Sequence, residues 1–119
     1  MSGRDPRSLL PLTHITYHIL LALADEDRHG YGIIKEALER TGGAMELEAG
    51  TLYTALKRLR DDGLIELLEA GQRPPEEDTR RRTYALTPFG KRVLEAESVR
   101  LVALVDVAMA KRVIPATPA

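Results

Sequence analysis

The sequence predicts a mainly α fold with a small β-hairpin, in one domain of 119 residues. Apolar residues recur at intervals of three and four along most of the chain, as in helices that bury one face. One later segment, residues 83–87, instead alternates apolar and polar residues, as strands do. The elements below follow from these two patterns.

The first two predicted helices are short. Residues 1–12 are rich in turn-forming residues and are expected to form a flexible N-terminal arm. Thr13 is a suitable N-cap for a first helix that ends near Ala24. A polar loop follows over residues 25–30, and apolar positions from Ile33 to Leu38 indicate a second helix.

A third helix is predicted over residues 50–62, and its two faces differ in chemistry. Helical spacing defines a buried stripe made of Leu52, Ala55, Leu56 and Leu59. The opposite face is small, hydroxylic and basic, and it carries Gly50, Thr54, Lys57 and Arg58, with Thr51 and Tyr53 at its edges. Such a face can approach a polyanion while the stripe anchors the helix.

Two strands and a long helix complete the chain. Residues 64–70 and 83–87 are expected to pair as an antiparallel hairpin. The connection over residues 71–82 is long for a hairpin, which is typical of a functional or mobile loop. Thr87 and Pro88 then begin a helix that is expected to reach about Val113.

The C-terminal helix is too apolar for one small domain to cover. Residues 99–109 contain only Arg100 and Asp106 as charges, so the helix must be buried on more than one side. Its alternating apolar spacing is the seam expected between two helices. The expected dimerisation residues are Leu94, Leu101, Val102, Val105, Ala108 and Met109.

Three helices followed by a hairpin is the order of a winged helix-turn-helix, here with an added C-terminal dimerisation helix. In that fold the third helix enters the DNA major groove, and the hairpin contacts the backbone or minor groove. We expect the winged domain to span residues 13–87, the dimerisation helix residues 88–114 and a tail residues 115–119. The predicted partners are double-stranded operator DNA and a second copy of the chain.

Composition excludes several other functions. Lys and Arg total 17 against 18 Asp and Glu, so a nucleic acid must be met by a local basic patch. The absence of cysteine excludes thiol chemistry, and no serine lies in a nucleophile motif. No apolar run reaches the roughly 18 residues of a membrane helix. We therefore expect no enzyme, no cofactor and no membrane partner.

Two alternative interpretations concern the first half of the chain. Arg4 and Arg7 precede an apolar stretch, which could indicate a signal peptide, but polar residues interrupt the stretch and a cytoplasmic location is favoured. His14 and His18 are four residues apart, as metal ligands on a helix can be. No third ligand accompanies them, so an ordinary histidine pair and no metal site are predicted.

Several motifs together resemble the PadR family of bacterial transcriptional regulators. They are His29-Gly30-Tyr31-Gly32, Gly50-Thr51-Leu52-Tyr53, Ala55-Leu56-Lys57-Arg58-Leu59, Asp62-Gly63-Leu64-Ile65 and Arg81-Arg82-Thr83-Tyr84-Ala85-Leu86-Thr87. The resemblance covers roughly residues 12–92 and is closest to the subfamily with a short C-terminal helix. It implies a homodimeric DNA-binding repressor that small aromatic or lipophilic effectors release from the operator.

This chain also departs from the family pattern. Glu48 and Ala49 stand where the family commonly has Ser-Pro, which removes the usual cap and adds a carboxylate. The connection carries acidic residues 76–78 that would repel DNA, so wing contact is assigned to Arg80, Arg81 and Arg82. No tryptophan is present, which excludes the tryptophan-sandwiched drug site of some relatives. The residues that would bind an effector are therefore unknown.

Other functions remain open at this stage. A winged-helix regulator of the MarR type would build its dimer from other helices. A protein-interaction module with this fold would not bind DNA, even at low salt. A small-molecule-binding protein would be stabilised by its ligand without any effect on DNA.

Overall fold

The structure is a computed structural model that describes residues 4–68 and 82–115. A short 3-10 helix at Pro6–Leu9 precedes the main elements. In chain order these are α1 (His14–Ala22), β1 (Arg28–His29), α2 (Gly30–Arg40), α3 (Ala49–Asp61), β2 (Ile65–Leu67), β3 (Thr83–Leu86) and α4 (Pro88–Ala110). The fold is mainly α with a small sheet, and the predicted class is confirmed.

The sheet has one strand more than the predicted hairpin. Its order is β1-β3-β2, and both pairs are antiparallel. The β2 and β3 pair aligns Ile65 with Leu86, as the prediction of a hairpin required. The expectation of a plain loop over residues 25–30 was wrong, because Arg28 lies opposite Tyr84 and extends the sheet. A two-residue strand carries no repeating pattern, so only its pairing with β3 reveals it.

The core lies between α1, α2, α3 and the sheet. Leu52 and Leu56 of α3 are 0% and 1% exposed, and they pack with Ile19 and Ile33 in one apolar cluster. The predicted stripe of α3 is therefore the buried one, which orients the opposite face outward. Burying each of these large side chains stabilises the fold by about 1.5–3 kcal/mol.

Threonine caps begin two of the helices. The Thr13 hydroxyl oxygen accepts from the Thr16 N–H at 3.1 Å, and the Thr87 oxygen accepts from the Gly90 N–H at 2.9 Å. Glu48, the N-cap of α3, makes no such bond. The sequence predicts this missing cap bond, because a glutamate occupies the position where a serine would supply it.

The N-terminal segment packs on the domain over the residues that the structure describes. The 3-10 helix lies against α4, and Leu9, Leu10 and Leu12 pack against the core. The Arg4 guanidinium lies 4.5 Å from the centre of the Phe89 ring and donates to the Asp62 carbonyl oxygen. Over residues 4–12 the predicted arm is thus packed on the domain through partners far away in sequence, and its flexibility stays a prediction.

Helix α4 divides into a packed half and an exposed half. Leu94, predicted to contact a partner, is only 8% exposed and belongs to the chain's own core. Little of its side chain is left exposed for a partner, and its role in dimerisation stays a prediction, because the seam spacing continues unchanged from the core-facing turns into the exposed ones. Beyond Ser98 the helix extends away, and Val102 is 59% exposed. The helix ends at Ala110, short of the predicted Val113.

Candidate nucleic-acid interface

The outward face of α3 is exposed as the sequence predicts. Its side chains, and the α-carbon of Gly50, face away from the buried stripe. The exposed residues are Gly50, Thr51, Tyr53, Thr54, Lys57 and Arg58. The helix has 13 residues, so this face extends about 20 Å at 1.5 Å per residue. Such a length allows several side chains to meet a duplex at once.

The two predicted cations of α3 differ in their surroundings. Lys57 Nζ lies 3.3 Å from an Asp61 carboxylate oxygen one turn later, and both side chains are exposed. An exposed pair of this kind contributes only about 0.3–0.5 kcal/mol, so Lys57 can exchange its partner readily. Arg58 makes no ion pair with any residue in the described ranges. Its guanidinium is therefore available to an external anion.

Tyr53 has a packing contact in addition to its exposed edge. The residue is 45% exposed. A methyl group placed on Gly30 would lie 2.3 Å from the Tyr53 hydroxyl oxygen. The ring therefore lies directly against the start of α2, and a larger residue at position 30 would require the end of the Tyr53 side chain to move. Phosphate bonding by Tyr53 stays a prediction, while its contact with Gly30 is part of how α3 packs on α2.

The wing is only partly described. Arg82 is exposed immediately before β3. Arg80 and Arg81, and the acidic residues 76–78, lie outside the described residues. Arg60 was absent from the predicted site, yet it is exposed on α3 and lines a groove with Lys57 and β2. A helical projection alone could have suggested Arg60, since it extends the basic character of the helix toward its C-terminus.

His14 and His18 make contacts within the fold. The rings of His14 and His18 meet edge to face with centres 4.5 Å apart. Arg40 lies 3.1 Å from His18 Nδ1 and pairs with Glu36 at 2.8 Å. Burial, followed by the nearby His14 and Arg40 charges, lowers the pKa of His18. In the described part of the chain, no group of three metal-ligating side chains occurs.

The third histidine of the chain caps a helix. His29 Nδ1 accepts a hydrogen bond from the Gly32 N–H at 3.1 Å at the start of α2. An accepting Nδ1 must be unprotonated, so in a neutral ring the proton lies on Nε2. His29 is thus held by its own helix.

None of the described helices is long and apolar enough to cross a membrane.

The fold and the site together define a winged helix-turn-helix protein. An apolar stripe fixes its third helix in the core, and the opposite face of that helix presents hydroxyls and cations. A wing follows the helix in the chain. Residues 19–96 match the family described as Transcriptional regulator PadR-like. The chain therefore belongs to the PadR-like family of transcriptional regulators, which confirms the resemblance and places it among regulators, not enzymes.

Relatives and solved structures agree with this assignment. The chain is 42% identical over 80 residues to a 37.1 kDa protein in transposon TN4556 of Streptomyces fradiae, covering 67% of this chain but only 21% of that protein. A PadR family regulator from Clostridium difficile R20291 is similar in structure, with a TM-score of 0.69 and 31% identity, covering 82% of this chain and 97% of that one. Bacillus subtilis PadR, solved in complex with operator DNA, gives a TM-score of 0.62 and 28% identity, covering 76% and 49%.

Proposed function

We propose that this chain is a homodimeric repressor that binds an inverted-repeat DNA operator with two winged helices. The observation that carries the proposal is the outward face of α3, where hydroxyl and cationic side chains are exposed opposite the apolar stripe that packs in the core. That combination is what a recognition helix needs to reach base edges and phosphates. The operator complex of Bacillus subtilis PadR supports the same use of this fold.

Each element has a separate role in the proposal. Lys57 and Arg58 contact phosphates or base edges in the major groove, and Thr51 and Thr54 contact base edges or backbone. Tyr53 donates a hydrogen bond to a phosphate, and Gly50 allows close approach. In the wing, Arg80, Arg81 and Arg82 contact flanking phosphates. Phosphate contacts fix register and affinity, whereas base contacts give sequence specificity.

The second copy binds through the exposed half of α4. Its contact residues are Leu101, Val102, Val105, Ala108 and Met109. Val102, Val105 and Met109 are 59%, 48% and 38% exposed in the single chain, which is costly for apolar side chains in water. Burial at a two-fold interface would remove them from solvent and set two α3 helices at the spacing of an inverted repeat.

Two further points of the proposal follow from the family resemblance. A small aromatic or lipophilic effector binds near the dimer interface and releases the operator. The repressor acts in the cytoplasm, where its operator DNA lies.

Selection of bound duplexes from random DNA tests the central claim. We expect enrichment of an inverted repeat, because a two-fold dimer reads two equal half-sites. Arg58→Ala should then weaken binding to the selected site. The control Lys111→Ala, after α4, removes the same charge from a position without contact to α3 and should bind normally. A folded wild-type protein that retains no duplex at low salt would contradict the proposal and favour a protein-interaction module.

The oligomeric state is tested separately. Val105→Glu places a charge in the exposed apolar half of α4 and should convert a dimer to a monomer in sedimentation experiments. Glu95→Gln changes a charge on the packed half of the same helix and should leave the dimer intact. A wild-type protein that sediments as a monomer at all concentrations would contradict the dimeric arrangement.

A further inference from the structure

A groove of about 460 Å³ lies between the start of α1 and the outward face of α3. Its walls carry hydroxyl groups and one cation. The lining residues are Thr13, Ile15, Thr16, Gly50, Thr51, Thr54, Ala55 and Arg58. We propose that one strand of the DNA backbone lies in this groove, so that Thr16 of α1 contacts a phosphate. This inference rests on the proposed function, because it extends the DNA interface from α3 to α1.

The hydroxyl groups in the groove are available to a ligand. Thr13 Oγ1 accepts from the Thr16 N–H at 3.1 Å and donates to Thr16 Oγ1 at 2.9 Å. The Thr16 hydroxyl hydrogen is then left to donate outward. The hydroxyls of Thr51 and Thr54 make no hydrogen bond to any residue that the structure describes, and both residues are exposed. Three donors therefore lie along one groove beside Arg58.

The charge of the groove favours an anion. Its lining includes Arg58 and no carboxylate. The groove on the other side of α3 differs, because it carries Lys57 and Arg60 but also Asp61 and Glu66. A phosphate in the second groove would meet two like charges, whereas one in the α1 groove would meet none. Close opposite charges and hydroxyl donors are the usual protein partners of DNA phosphates.

The mixed walls fit a nucleic-acid strand better than a free ion. Ile15 and Ala55 give the groove an apolar part beside its donors. A DNA strand alternates anionic phosphates with deoxyribose rings, which present apolar C–H surfaces. A small inorganic anion would use the donors and leave the apolar part in water. The groove is also continuous with the outward face of α3, so a strand bordering the major groove could enter it.

The first test adds a cation at α1. Thr16→Lys should strengthen binding to duplex DNA and make the salt dependence steeper by about one unit, as expected for one additional phosphate contact. Ala24→Lys places the same charge after the other end of α1 and should leave both quantities unchanged. Thermal unfolding and sedimentation check that both variants keep the fold and oligomeric state.

A second test removes the hydroxyl and the phosphate charge together. Thr16→Val keeps the size of the side chain and should weaken binding roughly threefold to tenfold, the value of one hydrogen bond. Neutral methylphosphonate linkages are then placed one at a time along the duplex. For the wild type, a neutral linkage at each contacted phosphate should weaken binding, and Thr16→Val should lose the sensitivity at one of these positions in each half-site.

The outcomes separate this inference from the proposed function. If Arg58→Ala weakens binding while the Thr16 variants and the methylphosphonates at their site have no effect, the groove is not part of the interface. The role of α3 as the recognition helix would be unaffected by that result. If the folded wild-type protein binds no duplex at low salt, both proposals are overturned. Loss of methylphosphonate sensitivity in Thr16→Val alone supports the groove specifically.

Discussion

The Glu97 carboxylate, in the middle of α4, accepts a hydrogen bond from the Leu12 backbone N–H at 3.1 Å across 85 residues of sequence. Arg100 donates to the same carboxylate at 2.5 and 2.9 Å. Glu97 is 2% exposed, so these donors replace the water that the carboxylate loses on folding. The bond holds the N-terminal segment against α4.

Glu97→Ala should destabilise the protein by about 1–3 kcal/mol, because it leaves the Leu12 N–H without its acceptor in a covered position. Denaturant unfolding followed by circular dichroism measures the change. Glu95→Ala, at an exposed position on the same helix, should change stability by no more than about 0.5 kcal/mol. Equal losses for the two variants would show that the contact with Leu12 contributes nothing.

The same carboxylate predicts a pH dependence of stability. The hydrogen bond from Arg100, followed by that from Leu12, lowers the pKa of Glu97 below its ordinary value of 4.5, although burial opposes the shift. A lowered pKa in the folded state gives stability that is complete above the ordinary value and is lost as pH falls through the folded-state pKa. The melting temperature of the wild type should therefore fall more steeply below pH 4.5 than that of Glu97→Gln. Glu95→Gln should follow the wild type.

Glu48→Ser should stabilise α3 by about 1 kcal/mol, because serine supplies the N-cap bond that Glu48 does not make. It also removes a negative charge near the proposed DNA interface, so duplex affinity should rise. Thermal unfolding and DNA titration measure the two effects. Glu46→Ser removes the same charge two residues before the cap and should give no gain in stability. Equal melting temperatures for the wild type, Glu48→Ser and Glu46→Ser would show that the missing cap bond does not limit stability.

Gly90→Ala and Gly50→Ala should have opposite effects on stability. A methyl group on Gly90 would lie 1.9 Å from the Leu64 carbonyl oxygen, whereas one on Gly50 would meet no atom within 4 Å. We expect Gly90→Ala to destabilise by about 2 kcal/mol through forced backbone movement. Gly50→Ala should stabilise by about 0.5 kcal/mol, because alanine favours helix. Denaturant titration of both variants decides the comparison.

Asp61→Asn should leave the free energy of unfolding within about 0.5 kcal/mol of the wild type, because the Lys57–Asp61 pair is exposed. It should nevertheless strengthen binding to duplex DNA, since Lys57 loses its competing partner and a carboxylate leaves the interface. Glu39→Gln on α2 makes the same charge change at an exposed site away from α3 and serves as the control. Unchanged affinity in Asp61→Asn would place Lys57 outside the contact with DNA.

Local patterns predicted the elements that depend on local forces. The stripe of α3 follows from helical spacing, and the caps at Thr13 and Thr87 depend on residues three positions apart. Both are properties of one short segment. The outward face of α3 was predictable for the same reason, because fixing the stripe fixes its opposite side.

Contacts between distant segments escaped the prediction. The strand at Arg28 exists through its pairing with Tyr84, and the N-terminal segment is held by Phe89, Asp62 and Glu97. No pattern within residues 4–12 reports these partners. The burial of Leu94 in the chain's own core was unpredictable for a related reason, since spacing alone cannot tell which turns of a helix face the core and which face outward. The groove beside Thr16 was likewise invisible, because it forms only when α1 and α3 pack together.

The exposed apolar side chains of α4 do not share one side of the helix. Val99, Val102, Leu104, Val105 and Val107 are 48–64% exposed, and at 100° per residue they point in directions all around the axis. A single helix packed alongside would bury one side of α4 and leave the other apolar side chains exposed to water. In the proposed dimer, a partner that buries all of these side chains would have to surround the end of α4, as two intertwined chains do.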